Sequence, residues 1–267
     1  MALSDTGAGH LWIEHRGDGP DVLLIGGLGD TVEAWQSQLE GLSDRYHLIA
    51  FDNRGTGRSP EPGGECSVAV MADDAAAVLG ALDVPAAHIV GFSGGSLIGQ
   101  EMALRHPDKV HSLVLVSTWL ARPDVYSRAM ANSWRVLARG APDERAFLEA
   151  FYVWVYTPRA HEDGTVARII DEVLAFPYKQ SEDTFQRQLD AFMAFDSNDR
   201  VTDIFAPTLV LAGGLDKQAP PPFGRAVAEA IPGAIFEVLP EEAHQPFQEV
   251  PELFNARVDA FWRGLTM

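Results

Sequence analysis

Cysteine is nearly missing from this 267-residue chain: Cys66 stands alone, so no internal disulfide is possible, and no CxxC or Cys/His cluster offers the ligands of a structural zinc. No stretch of about 18 apolar residues occurs, as a membrane-spanning helix would need, and the first twenty residues lack the apolar run of about 7 to 15 that a secretion signal requires. Basic residues are scarce as well. Twenty Lys and Arg face 38 Asp and Glu, and the resulting charge of −18 repels phosphate backbones and anionic lipid. These absences predict a cytoplasmic protein with no nucleic-acid or membrane partner. The acidic residues are spread along the chain rather than gathered in a tail, so they speak for solubility and not for a ligand.

What is present is a globular composition, with 46% hydrophobic and 22% charged residues, long enough for one large domain or two small ones. Short runs rich in Val, Ile and Leu recur at 22–25, 47–51, 88–92, 112–116, 208–212 and 235–239. They do not alternate with polar residues, which is the pattern of strands buried on both faces. A weaker strand at 11–15 is read as a sheet edge. Between them, 67–82, 96–105, 223–230 and 251–262 carry helical spacing. Alternating strands and helices predict an α/β fold built on a mostly parallel sheet with right-handed crossovers.

That rhythm stops between 117 and 199, where helical patterns continue without a convincing strand. Residues 119–195 hold 13 of the 25 Phe, Trp and Tyr residues. Aromatics such as Trp119, Trp134, Phe151, Trp154 and Tyr156 either form the insertion's own core or face a pocket; Trp119, Trp134, Phe151 and Trp154 are the candidate pocket residues. No internal repeat or low-complexity tract is found.

The segment richest in chemistry is His88-Ile89-Val90-Gly91-Phe92-Ser93-Gly94-Gly95-Ser96-Leu97-Ile98-Gly99. Here a strand runs straight into a helix through Gly91-x-Ser93-x-Gly95. So abrupt a turn strains the central residue and leaves no room for a Cβ two positions to either side. It exposes the serine hydroxyl at a helix N-terminus, where free amides and the positive dipole end favour developing negative charge.

A serine hydroxyl is a weak nucleophile until a base takes its proton, so the sequence should supply a histidine and an acid that orients it. For this strand-turn-helix arrangement the chain order is serine, acid, histidine, leaving His106, His111, His161 and His244 as bases. His106 precedes Pro107 at a helix end, His111 opens a strand, and His161 lies in the insertion. His244 follows the last strand and precedes the final helix, which puts it at the sheet's C-terminal edge. The acid should end the preceding strand, where Asp216 follows the turn Ala212-Gly213-Gly214-Leu215. Glu241 and Glu242 are too close in sequence to reach the far ring nitrogen of His244.

With Ser93, Asp216 and His244 in this order, the chain resembles the α/β-hydrolase superfamily. Two further motifs carry the resemblance: Leu24-Ile25-Gly26-Gly27-Leu28-Gly29 after the first buried strand, and Asp52-Asn53-Arg54-Gly55-Thr56-Gly57-Arg58-Ser59, which looks like the family's D-x-R-G-x-G-x-S turn. The resemblance spans roughly 11–117 and 200–264. It implies a hydrolase core at 1–117 and 200–267, and a helical cap at 118–199 inserted after the sixth strand. It also implies an oxyanion hole made by the backbone amides of Leu28 and Gly94. Many relatives have His-Gly where this chain has Gly26-Gly27, a change that keeps the amide donor. The glycines and Arg54 of the second motif are read as structural.

The glycine-rich turns do not match a dinucleotide fingerprint, and no GxxxxGK[ST] occurs. A dehalogenase of this fold would carry Asp at position 93 and a dienelactone hydrolase Cys. The resemblance to small-molecule carboxylesterases and to 3-oxoadipate enol-lactonases implies a small ester or lactone substrate, no metal, no cofactor, and a monomer or homodimer. Carbon–carbon cleavage beside a ketone, perhydrolysis, N-terminal proline cleavage and a ligand sensor that keeps the triad remain open, because fold and triad do not choose among them. A model-peptide imidazole protonates near pH 6.5, so activity should fall on the acid side.

Overall fold

The computed structural model describes residues 2–6, 9–61, 63–121 and 124–265; positions 122–123 of the expected cap and 1, 7–8, 62 and 266–267 of the expected core lie outside them. Its eight-stranded sheet has the order β1-β2-β4-β3-β5-β6-β7-β8. The strands are β1 (Ala2–Asp5), β2 (His10–Arg16), β3 (Asp21–Ile25), β4 (His47–Phe51), β5 (Ala87–Phe92), β6 (Val110–Val116), β7 (Thr208–Gly213) and β8 (Ile235–Leu239). β1 and β2 pair antiparallel with each other, and β2 pairs antiparallel with β4. Every pairing from β4 through β3, β5, β6 and β7 to β8 is parallel.

Pleating divides each central strand between two cores. Leu23 and Ile25 of β3, Ile49 and Phe51 of β4, and Leu113 and Leu115 of β6 face one side. Their neighbours Val22, Leu24, Leu48, Ala50, Val114 and Val116 face the other. Helices α2 (Val68–Ala81), α3 (Gly94–Arg105) and α9 (Pro221–Ala230) cover the first face. Helices α1 (Gln36–Leu42) and α11 (Pro251–Leu265) cover the second, with α10 (Pro246–Glu249) leading into α11. Burial on both faces explains why the central strands read as continuous apolar runs.

The edges differ from expectation. Residues 11–15 belong to β2, an inner strand, and the edge is β1, whose sequence Ala-Leu-Ser-Asp carries little apolar signal. β8 closes the opposite edge with Ile235 half exposed, so its apolar run is covered on one side only.

Among the described residues between β6 and β7 lie five α-helices: α4 (Val125–Gly140), α5 (Glu144–Tyr152), α6 (Pro158–Glu162), α7 (Thr165–Ala175) and α8 (Glu182–Ala194). Four of them start on a side chain that accepts a first-turn N–H: Asp124 for α4, Asp143 for α5, Thr157 for α6 and Ser181 for α8. The insertion has cores of its own, one of Leu148, Tyr156, Ile169 and neighbours, the other of Met130, Trp134, Phe185 and Leu189. It is also bonded to the turn after β4. Gln188 Nε2 donates to Arg54 O (2.8 Å) and to Thr56 Oγ1 (2.9 Å), and Phe192 packs against Gly94 at the start of α3.

The turn after β4 works as a brace. Asp52 accepts the N–H groups of Val32 (2.8 Å) and Arg58 (2.9 Å), and Asn53 Nδ2 donates to Gly26 O (3.1 Å). Arg54 forms a buried two-point ion pair with Asp74 of α2, at 2.6 and 2.7 Å. Removing one partner of such a pair leaves an uncompensated buried charge. Asp74→Ala should therefore cost about 3–5 kcal/mol in urea denaturation, and an unchanged midpoint would contradict this role for the pair. Gly95→Ala should also destabilise the fold by about 1–3 kcal/mol or more in the same assay, because its Cβ would sit 2.1 Å from the Ile25 carbonyl oxygen.

Candidate active site

Ser93 joins β5 to α3 with φ 51° and ψ −119°, a left-handed conformation that an L-residue adopts only under constraint. The constraint is visible on every side. A Cβ on Gly91 would lie 2.3 Å from Gly95 O, and one on Gly95 would strike β3, so strand, turn and helix touch backbone to backbone. Ser93 N–H donates to Val116 O (2.9 Å), and Ser96 Oγ donates to Ser93 O (2.6 Å). The side chain emerges at the C-terminal edge of the sheet, half-buried.

Ser93 Oγ stands 3.0 Å from His244 Nε2, and His244 Nδ1 stands 2.8 Å from Asp216 Oδ2. With the Nδ1 proton donated to Asp216, Nε2 is left to accept from the serine hydroxyl. Parallel pairing makes this possible: β5, β6, β7 and β8 are neighbours in order, and the chain leaves each of them at the same edge. Asp216 Oδ1 accepts from the N–H groups of Gln218 (2.7 Å) and Ala219 (2.9 Å). Burial would push the Asp216 carboxyl up. The positive charge and hydrogen bond of His244, the Ala219 N–H and the Ser117 hydroxyl outweigh it and hold the carboxyl below the usual carboxylate range.

The other histidines stand elsewhere. His106 caps the C-terminal end of α3 and meets Asp73 (2.7 Å), His111 is exposed on β6, and His161 is exposed on α6. Glu242 turns away to Arg159 (2.6 Å). Two supports of His244 carried no recognisable sequence pattern. Ser117, at φ 53° just past β6, donates its hydroxyl to His244 O (2.8 Å). From the insertion, the carbonyl of Val155 accepts the His244 backbone N–H (3.0 Å). A serine directly after a buried strand is the only hint that the sequence holds of the first; a carbonyl leaves none.

A cavity of about 870 Å³ lies between the sheet edge and the insertion, and Ser93 and His244 are in its wall. Leu28 lines it too. Gly94 is the first residue of α3, and a Cβ on Gly27 would lie 3.1 Å from Ser93 Cβ, so the turn after β3 rests against the serine. Of the four candidate pocket aromatics, Trp119, Trp134 and Phe151 line the cavity. Trp154 does not: it packs against the core around Met130 and Trp134, and its carbonyl accepts from Gln218 Nε2 (3.2 Å). The cavity also contains a carboxyl that the sequence reading did not single out, Asp30, whose Oδ2 accepts the Gly27 N–H (2.8 Å). Among the described residues no three His, Cys, Asp or Glu side chains are grouped to hold a metal ion, and no helix is long and apolar enough to cross a membrane.

Comparison with known proteins agrees with this architecture. Residues 20–147 match the sequence profile of the family described as alpha/beta hydrolase fold. A curated relative from Azorhizobium caulinodans, named "Putative carbamate hydrolase RutD", is 31% identical over 261 residues that cover 98% of each chain. Among solved structures, an enol-lactonase from Burkholderia xenovorans superimposes with a TM-score of 0.85 at 25% identity, covering 98% of this chain and 99% of that one. A hydrolase from Pseudomonas aeruginosa does so with a TM-score of 0.85 at 26% identity over 97% of both. The sheet order, the turn at Ser93 and the relative matched along nearly its full length lead to one assignment: this chain belongs to the α/β-hydrolase family.

Proposed function

We propose that the protein is a serine hydrolase that opens a carboxylic ester or lactone of a small, largely apolar molecule. The observation that carries this reading is the hydrogen-bonded line from Asp216 through His244 to Ser93, ending at a cavity of about 870 Å³. In the proposed reaction His244 Nε2 takes the Ser93 proton as Oγ attacks the acyl carbonyl, and Asp216 holds the imidazole and balances its charge. The amides of Leu28 and Gly94 receive the oxyanion. The carbon–oxygen bond then breaks, the departing alkoxide takes the proton from His244, and Ser93 is left acylated. Water gives a proton to the same nitrogen while its oxygen attacks the acyl group, releasing the acid and restoring the serine.

The five helices between β6 and β7 serve as the cap in this reading, and Trp119, Trp134 and Phe151 form the apolar wall that selects substrate size. A carbamate is the second reading, favoured by the relative of that name at 31% identity over nearly the whole chain. Its carbonyl is open to the same attack, so the two readings differ in leaving group rather than machinery.

The test is a panel of p-nitrophenyl esters of graded length, aliphatic lactones and N-alkyl carbamates, offered to the purified protein. Ester or lactone turnover is expected, with an acyl adduct on Ser93 seen by intact mass. Ser93→Ala should lower kcat by at least about four orders of magnitude and abolish the adduct. Adduct formation with carbamates alone would replace the ester reading by the second one, and binding without turnover would overturn both. His244→Ala should lower kcat on p-nitrophenyl butyrate by a factor similar to that for Ser93→Ala, because the serine proton then has no acceptor. Unchanged turnover would remove His244 as the base.

A further inference from the structure

The wall beside Ser93 carries a carboxyl. Asp30 ends the glycine-rich turn after β3 with its carboxylate in the cavity, and the position that a Gly27 Cβ would occupy is 3.1 Å from Ser93 Cβ and 3.2 Å from Asp30 Oδ2. Both therefore flank the same point of the turn, which puts the carboxylate oxygen no more than about 6 Å from Ser93 Cβ. It is fixed there by the Gly27 N–H (2.8 Å) and by the side-chain amide of Gln245. Gln245 is itself held: Tyr156 OH donates to Gln248 Oε1 (2.5 Å) and lies 3.3 Å from Gln245 Oε1, while Gln248 Nε2 donates to Ala34 O (3.2 Å). An ionised carboxylate offers about four acceptor positions, and these two donors leave part of that capacity open to the cavity.

Among the described residues of the cavity, the cations are already paired with carboxylates. Among the described lining residues the only Lys and Arg are Lys179 and Arg168, which pair with Glu144 (3.0 Å) and Glu172 (2.7 Å). In surroundings of low polarity a fixed negative charge acts more strongly than it would in water.

Resting on the serine-hydrolase reading, we propose that Asp30 is the specificity-determining residue of this cavity: its carboxylate accepts a hydrogen bond from an N–H or O–H on the substrate near the scissile carbonyl, and excludes substrates that carry a carboxylate there. The preferred class is then a neutral acyl compound with a hydrogen-bond donor close to the reacting carbon, such as a hydroxy ester or an N–H carbamate.

Asp30 titrates within reach of the assay. Burial pushes its carboxyl up to about 6, against the pull of the Gly27 N–H, the charge on His244 and the Gln245 amide. The titratable groups facing it are His244 after β8, Tyr152 of α5 and Tyr156 beyond it, and Glu33 shares the cavity wall. Burial raises both tyrosines, so they stay neutral. Burial would raise Glu33 too, but its bond to Arg58 outweighs that and keeps it ionised. Turnover counts only molecules whose His244 is neutral, so that group cancels from a ratio of two substrates.

The experiment compares ethyl butyrate, ethyl 3-hydroxybutyrate and monoethyl succinate by pH-stat, with the full chain and with Asp30→Asn, from pH 5.5 to 8. At pH 7.5 the wild-type protein should rank hydroxy ester over butyrate over succinate in kcat/KM, each step being roughly tenfold or more. The butyrate-to-succinate ratio should rise with pH as Asp30 becomes charged, at about 6 or somewhat above it, because the molecules that turn over lack the lowering charge on His244. Asp30→Asn should flatten that rise and return about tenfold of the lost succinate activity. A wild-type ratio that is level across the range would overturn the proposal without any variant, as would an Asp30→Asn protein whose butyrate-to-succinate ratio at pH 7.5 equals the wild-type one. Butyrate turnover separates these failures from that of the parent reading: with no ester hydrolysed and no adduct on Ser93, both readings fall together.

Discussion

The backbone at Ser93 is the constraint on which the rest of the molecule depends. Holding a non-glycine residue at φ 51° costs on the order of 1–3 kcal/mol, and the conformation persists only because its surroundings leave no alternative. β3 supplies the carbonyl that Gly95 must pass, β6 the carbonyl that binds Ser93 N–H, and α3 the hydroxyl of Ser96. Each is part of the sheet or of a helix pressed on it. The strain is therefore sustained by the two hydrophobic cores, and the product is a hydroxyl directed away from both.

Parallel strands explain how four distant sequence positions reach one place. β5 ends at Ser93, β6 at Ser117, β7 a few residues before Asp216 and β8 a few before His244, and these strands lie side by side. Ser117 adds a connection to the line from Asp216 through His244 to Ser93. Its hydroxyl donates to the His244 carbonyl, so the end of β6 helps to position the histidine. The insertion begins just past this residue and returns to bind the His244 N–H through Val155. A shift of the insertion would be transmitted directly to the histidine.

The cavity combines two kinds of wall. Aromatic side chains from the insertion enclose one part, and the turn after β3 brings the Asp30 carboxyl to the other, beside Ser93. The excess of acidic residues across the chain was uninformative about ligands because exposed charges are screened by water and salt. One half-buried carboxyl in a cavity wall, on the turn that rests against Ser93, is different, since it faces whatever enters.

The strands of the sheet centre, the class of fold, and the candidates Ser93, Asp216 and His244 were legible in the linear chain. Apolar runs bounded by glycine, and a serine between glycines at a strand-helix junction, are local consequences of packing that a sequence records directly. β1, the half-exposed face of β8 and the place of Trp154 outside the cavity were not legible. Four residues such as Ala-Leu-Ser-Asp become a strand only because β2 offers them partners, and a tryptophan's pattern is the same whether it faces a void or a neighbour. Ser117, Asp30 and Val155 belong to this second group for the same reason. Their importance lies in the direction of one hydroxyl, one carboxyl and one carbonyl, and those directions are settled by contacts between segments tens of residues apart, which no local pattern encodes.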